Sequence, residues 1–282
     1  WTSEVEGSLF SYDALTKLRT VKRAERKADD KEDTFYILSV DVARSQARTV
    51  LEVFKIHIGE DYFTKRLVNI QTISGGSFLY QSIKIKELDS YFNFNRVVID
   101  GNGIGTGLID FLMLENIDDT NGLVYGPYNV DNIKDYPIYV PNQKVGAPAK
   151  IFLIKTNQSN AGTIHSMAYA ELFSGRVRLL VDAKVARQKL LATAKGSRMG
   201  IIERDRFLSP YNNTTLLVDE TSNLRLKKHT VGLSIEMIDG GKEKDTFSAL
   251  EYGLYYINKI EQEYYAKRRK KKPKWSSAMF YT

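Results

Sequence analysis

The sequence predicts an α/β protein built on a mixed β-sheet flanked by helices. Two observations carry this expectation. Three strand-like runs with short connectors open the ordered part of the chain, the arrangement of antiparallel hairpins. Helix, strand, helix and strand patterns then alternate, which is the order of an α/β fold with parallel strands.

The elements follow in order. Residues 1–33 are polar and charge-dense. The run 22–33 has no apolar face and reads as a linker or a solvated helix. Residues 34–40 (TFYILSV) are β-branched and aromatic and end at Asp41, residues 49–57 (TVLEVFKIH) alternate as a second strand, and residues 63–73 (FTKRLVNIQTI) give a third. Gly75, Gly76 and Ser77 open a helix through Phe92, with Leu79, Ile83 and Leu88 on its buried stripe.

Residues 96–100 (RVVID) form a short continuous apolar run, the pattern of a strand buried on both faces. A right-handed crossover would set this strand parallel to an earlier one. A glycine-rich turn, a helix at 108–114 and a strand at 123–125 follow. Four prolines make 126–150 loop-like, and the stretch 126–223 is open to being an inserted subdomain. Within it, strands are expected at 151–155 and 177–181, and helices at 160–174 and 183–194. Residues 196–223 favour neither state. A hairpin is expected from 224–228 and 231–238. The last helix starts at Asp245, with Phe247, Leu250, Leu254, Ile257 and Tyr264 on one face. No internal repeat is present.

Composition excludes several function classes. There is no cysteine, so a disulfide scaffold, a zinc ribbon and a thiol nucleophile are all ruled out. With only three histidines, any metal must be held mainly by carboxylates, which favours hard ions such as magnesium or manganese. No apolar run reaches the length of a membrane span and no signal peptide is visible. Seven of the 41 basic residues lie between Lys267 and Lys274, and the remaining 34 equal the 34 acidic ones. The basicity therefore reads as a C-terminal tail, either a solubilising end or a phosphate-binding arm. Gly101, Gly103, Gly105 and Gly107 alternate, but neither G-x-G-x-x-G nor G-x-x-x-x-G-K-[ST] occurs, so a dinucleotide or phosphate loop is a poor fit.

Three acids sit at the ends of elements: Asp41 after the first strand, Asp100 after the buried fourth, and Asp245 at the start of the last helix. If the first and fourth strands are parallel neighbours, Asp41 and Asp100 emerge side by side at the edge where open α/β sheets place their ligands. Carboxylates gathered at one point repel unless a cation neutralises them. A single such aspartate is more often a turn former or helix cap, and Asp245 alone fits that role. His165 reads as a packed or capping histidine. Lys228 and His229 in the hairpin are candidates for touching a phosphate backbone, with His229 otherwise a turn residue; Lys242 and Lys244 before the third acid either bind such a backbone or balance charge, and Lys267, Arg268 and Arg269 in the tail are further candidates.

Residues 35–44 (FYILSVDVAR), 96–110 (RVVIDGNGIGTGLID) and 244–253 (KDTFSALEYG) together resemble the three nuclease motifs of tailed-phage large terminases. The resemblance spans about 34–265. It implies a ribonuclease-H-like fold in which Asp41, Asp100 and Asp245 hold two magnesium or manganese ions and cleave double-stranded DNA with low sequence specificity during genome packaging. Many relatives carry a second acid beside the third ligand; here Lys244 and Thr246 flank it, and the nearest extra acid is Glu243.

The resemblance also sets the expected organisation. Residues 1–33 would be the connection from a preceding packaging ATPase, in keeping with a chain that begins at Trp1 without methionine. Residues 34–266 would be the nuclease domain and 267–282 a basic tail. Double-stranded DNA, a portal protein and a small terminase subunit are the implied partners, in the host cytoplasm and without a membrane. A Holliday-junction-resolvase-like nuclease of the same fold and a non-catalytic DNA or portal docking module stand as alternatives.

Overall fold

The central strand β2 (Thr34–Asp41) is inaccessible over most of its length because apolar residues occupy both of its faces. In the computed structural model, which describes residues 7–29, 31–43, 48–101, 103, 105–156, 160–228, 233–240 and 243–271, it pairs antiparallel with β3 (Arg48–Ile58). β3 pairs antiparallel with β4 (Phe63–Ser74). On its other side β2 runs parallel to β5 (Arg96–Asp100), as the crossover rule requires, and β5 runs parallel to β8 (Ile151–Ile154). β9 (Val177–Leu180) and β1 (Arg19–Val21) extend the other edge, giving one seven-stranded mixed sheet in the order β1-β9-β4-β3-β2-β5-β8.

Helices cover both faces. On one face lie α4 (Ala161–Phe173), the C-terminal half of α7 (Ile201–Ser222) and the long α8 (Asp245–Lys271), sharing a core with Ile37, Phe54, Val98 and Phe152. On the other lie α2 (Phe78–Phe92) and α3 (Gly105–Leu112), packed with Leu38, Val40, Val97 and Ile99. Two short two-stranded sheets complete the described fold: β6 (Asn116–Asp118) with β7 (Leu123–Tyr125), and the expected hairpin β10 (Leu224–Lys228) with β11 (Leu233–Met237).

Three sequence expectations need correction. The described part of 1–33 is not a linker. Phe10, Leu15 and Leu18 are buried in the main core, Ser11 caps α1 (Tyr12–Lys17), and β1 is an edge strand. Its charges are used inward: Glu25 and Asp29 both pair with the buried Lys55 of β3. Nor is 126–223 an added subdomain, because it supplies β8, β9, α4 and α7 to the main body. Only α5 (Ala183–Leu191), α6 (Ala194–Arg198) and the front of α7 stand apart, around a satellite core of Leu180, Ala186, Leu190, Leu208 and Tyr211. Finally, the basic tail does not begin as a free segment at 267, since α8 continues through Lys271. No helix among the described residues is long and apolar enough to cross a membrane.

Candidate active site

Register decides which acids meet. Val40 pairs with Ile99 across the parallel β2–β5 ladder, so the next residues, Asp41 and Asp100, end neighbouring strands at the same edge. Strand neighbours lie about 4.8 Å apart. Alternation puts Asp41 on the face of Ser39 and Ile37, and Asp100 on the face of Val98, which is the side that α8 covers. The turn after β5 then folds back tightly. A Cβ at Gly105 would lie 2.0 Å from the Asp100 carbonyl oxygen, so the glycines after Asp100 serve close packing.

α8 delivers the third acid. The helix lies close on β2: Ser39 Oγ donates to the Ala249 carbonyl at 2.7 Å, and a Cβ at Gly253 would lie 2.6 Å from the Phe54 ring. Its first residue, Asp245, faces Glu243 and Arg48. Burial pushes the Asp245 carboxyl up to about 6, helped by the Glu243 charge and a hydrogen bond shared with it, while Arg48 opposes through its charge and its backbone N–H. Asp245 Oδ2 is buried and has no hydrogen-bond partner among the described residues.

Asp41 feels all of these groups. Burial raises its carboxyl well above the usual range, and the charges of Asp245, Asp100 and Glu251 raise it further, while Lys244 acts in the opposite sense. Tyr252 Oη, on α8, donates to Asp100 Oδ2 at 3.4 Å. One turn deeper, buried Glu251 pairs with His165 Nδ1 at 2.6 Å, so His165 is a packed and partnered histidine.

Among the described residues no three acids or histidines converge into a closed ligand set. The donors nevertheless fit a hard divalent cation. They are carboxylates, the charges of Asp245 and Asp100 raise the proton affinity of Asp41, and one buried Asp245 oxygen is left without a donor among the described residues. Asp41, Asp100 and Asp245, with Glu243 beside the last, are the carboxylates that the fold brings towards this edge.

The basic candidates divide. Lys244 is at the site, close enough to act on Asp41, and its Nζ donates to the Ile235 carbonyl at 3.2 Å. Lys228 ends β10; its side chain, like all of His229 and Lys242, lies outside the described residues. Lys267, Arg268 and Arg269 are exposed on the final turns of α8, about 36 Å along the helix axis from Asp245 at 1.5 Å per residue, and do not join the site.

Sequence reasoning missed several neighbours. Glu52 of β3 is fully buried opposite Ser39, and neither of its carboxylate oxygens has a partner among the described residues. Its signal was an acid inside an apolar strand. Glu220 of α7 accepts from both the backbone N–H and the hydroxyl of Thr246 and lies 3.6 Å from Arg48. Arg48, Tyr252 and Glu251 carried no local signal.

This architecture is a ribonuclease-H-like fold. In particular, it is the fold of the large terminase nuclease from thermophilic phage G20c. The structure of that nuclease with bound magnesium matches with a TM-score of 0.52 at 14% identity, over 89% of this chain and 98% of that one. The cobalt-bound structure matches with a TM-score of 0.52 at 15% identity, over 89% and 98%. The HK97 bacteriophage large terminase matches with a TM-score of 0.44 at 10% identity, over 88% of this chain and 43% of that one. No sequence family and no curated protein matches the chain.

Proposed function

We propose that this chain is the nuclease domain of a tailed-phage large terminase, hydrolysing double-stranded viral DNA during packaging with the help of magnesium or manganese. The observation that carries the reading is the pairing of Asp41 and Asp100 at the ends of adjacent parallel strands, with Asp245 facing them from α8. Its support from kinship is a fold shared along nearly the whole of a terminase nuclease that binds magnesium.

Asp41, Asp100 and Asp245 would hold two divalent ions. Ions held there would supply positive charge towards a phosphodiester and lower the pKa of a water that could act as nucleophile. The remaining groups prepare this pocket. Tyr252 orients the Asp100 carboxylate through its hydroxyl. The His165–Glu251 pair fixes the α8 turn beside Asp41. Lys244 offsets part of the acidic charge and stands where a DNA phosphate would approach. Low sequence specificity belongs to this reading as well. Portal and small-subunit partners and a location in the host cytoplasm belong to the same reading.

A plasmid-cleavage assay with and without manganese tests it. Asp41→Ala or Asp100→Ala should abolish cleavage. Each removes one of several mutually repelling carboxylates, so stability in chelator should hold or rise. Cleavage at the parental rate by either variant would place the active site elsewhere.

A further inference from the structure

Between α2 and the first turns of α7, a groove of about 430 Å³ runs along β4. β9 pairs with β4 only at Lys65 and Arg66, which leaves the rest of that edge without a strand neighbour. Thr72 in the groove lies in register with Val50, and Val50 with Asp41. Thr72 is therefore two strand spacings, about 10 Å, from Asp41 at the same end of the sheet, while Gln71 and Ile73 turn to the α2 face, opposite the acids. At 3.4 Å per step this is about three base pairs of duplex.

The lining is basic. Its acid, Glu87, is already matched by Lys84 at 2.7 Å. Arg26 and Arg206 are exposed at its mouth and neither makes an ion pair among the described residues; the Arg26 guanidinium sits 5.8 Å over the Phe207 ring, which holds it in place. From Arg206 the positive surface continues over α5 and α6. Residues 184–206 hold seven basic residues against two acidic ones, Glu203 and Asp205. Lys195 and Arg198 of α6 are exposed, and the satellite core fixes α5, α6 and α7 as one block.

We propose that this groove and the basic strip beyond it hold the sugar-phosphate backbone of double-stranded DNA on its approach to Asp41. The inference rests on the nuclease reading. Arginines without carboxylate partners, aligned on one surface at this distance from a phosphodiester-cleaving centre, suit a run of phosphates and carry no sequence information.

The test is binding of a duplex of about 30 base pairs to the protein in chelator, followed by fluorescence anisotropy across a salt series. Arg26→Gln with Arg206→Gln removes two phosphate contacts. The slope of log affinity against log salt should become shallower by about 1.8, with roughly tenfold weaker binding at low salt. Arg26→Lys with Arg206→Lys should keep the slope, which separates lost charge from lost fold. Adding Lys195→Gln and Arg198→Gln should flatten it further. If the glutamine pair binds with the parental slope while the parent cuts plasmid in manganese, the groove proposal falls and the nuclease reading stands. A parent that binds through the groove but never cuts leaves the groove and removes the nuclease reading. A parent without measurable duplex binding overturns the groove outright.

Discussion

Glu52 is the clearest case of a residue whose environment sets its chemistry. Its carboxyl is fully buried on a central strand, and burial, followed by the charges of Glu220 and Asp41, holds its proton affinity well above the usual range. The unfolded chain releases this proton near pH ~4.3. Above that value the folded state binds the extra proton, so stability falls as pH rises from there through the raised folded value. Glu52→Gln removes the ionisable group. Its unfolding free energy in chelator, from melting curves, should match the parent near pH 4 and exceed it increasingly towards neutral pH, by up to about 1.4 kcal/mol for each unit of that interval. Parallel melting profiles for the two proteins would show that Glu52 does not titrate in this way. At Asp245 the discriminating change is Asp245→Asn. An amide can still accept from the Arg48 N–H and can donate to Glu243, so stability in chelator should stay within ~1 kcal/mol of the parent. Asparagine is a poor ligand for a hard cation, so cleavage should be largely lost and partly restored by excess manganese. Full cleavage by this variant would reduce Asp245 to a helix-start residue and shift attention to Glu243.

At the scale of elements, legibility followed burial. β2 and β5 are continuous apolar runs ending in aspartate, so both their existence and their parallel relation could be read, and with them the Asp41–Asp100 pair. α7 could not, because Pro210 interrupts its interior and Thr214, Thr215 and Thr221 turn their hydroxyls back to the helix's own carbonyls, which blurs the helical pattern. β1 was hidden because its pairing partner β9 lies some 160 residues away, in a segment whose charges resemble a linker. Partners distant in sequence also hid Tyr252, Glu251 and Arg48. A second element-level device ties both α4 and α8 to β4: Lys65, fully buried, bonds Glu171 at 2.7 Å and Glu261 at 2.6 Å. Lys65→Met would leave Glu171 and Glu261 facing each other with the half-exposed Arg176, 3.6 Å from Glu261, in place of the buried ammonium. The loss should be about 3–5 kcal/mol in a denaturant titration, and a loss below ~1 kcal/mol would show that the clamp does not hold these helices.

Across the whole molecule, the even balance of 34 acidic and 34 remaining basic residues conceals a polarised surface. Glu52, Glu171, Glu220, Glu251 and Glu261 are all buried, whereas the cations of residues 184–206 and the end of α8 are mostly exposed. Positive charge thus gathers in two separate places. One lies at the groove between α2 and α7, at the Asp41 end of the sheet but on the face opposite the acids. The other crowns α8 about 36 Å along the helix from Asp245, where Arg268 reaches the Glu60 carbonyl at 3.3 Å, beyond the opposite end of β4. A duplex must extend about ten base pairs to bridge that distance at 3.4 Å per step. Charge at the helix end should therefore matter for long DNA and not for short. Lys267→Gln, Arg268→Gln and Arg269→Gln together should weaken binding of a duplex of about 30 base pairs and flatten its salt dependence, while leaving the affinity for one of about eight base pairs unchanged. Because the two surfaces share no residues, this loss should add to that of the Arg26→Gln, Arg206→Gln pair on the long duplex. Equal losses on both lengths would mean that the helix end reaches the DNA near the groove. No loss on either would make the helix end a solubilising feature alone.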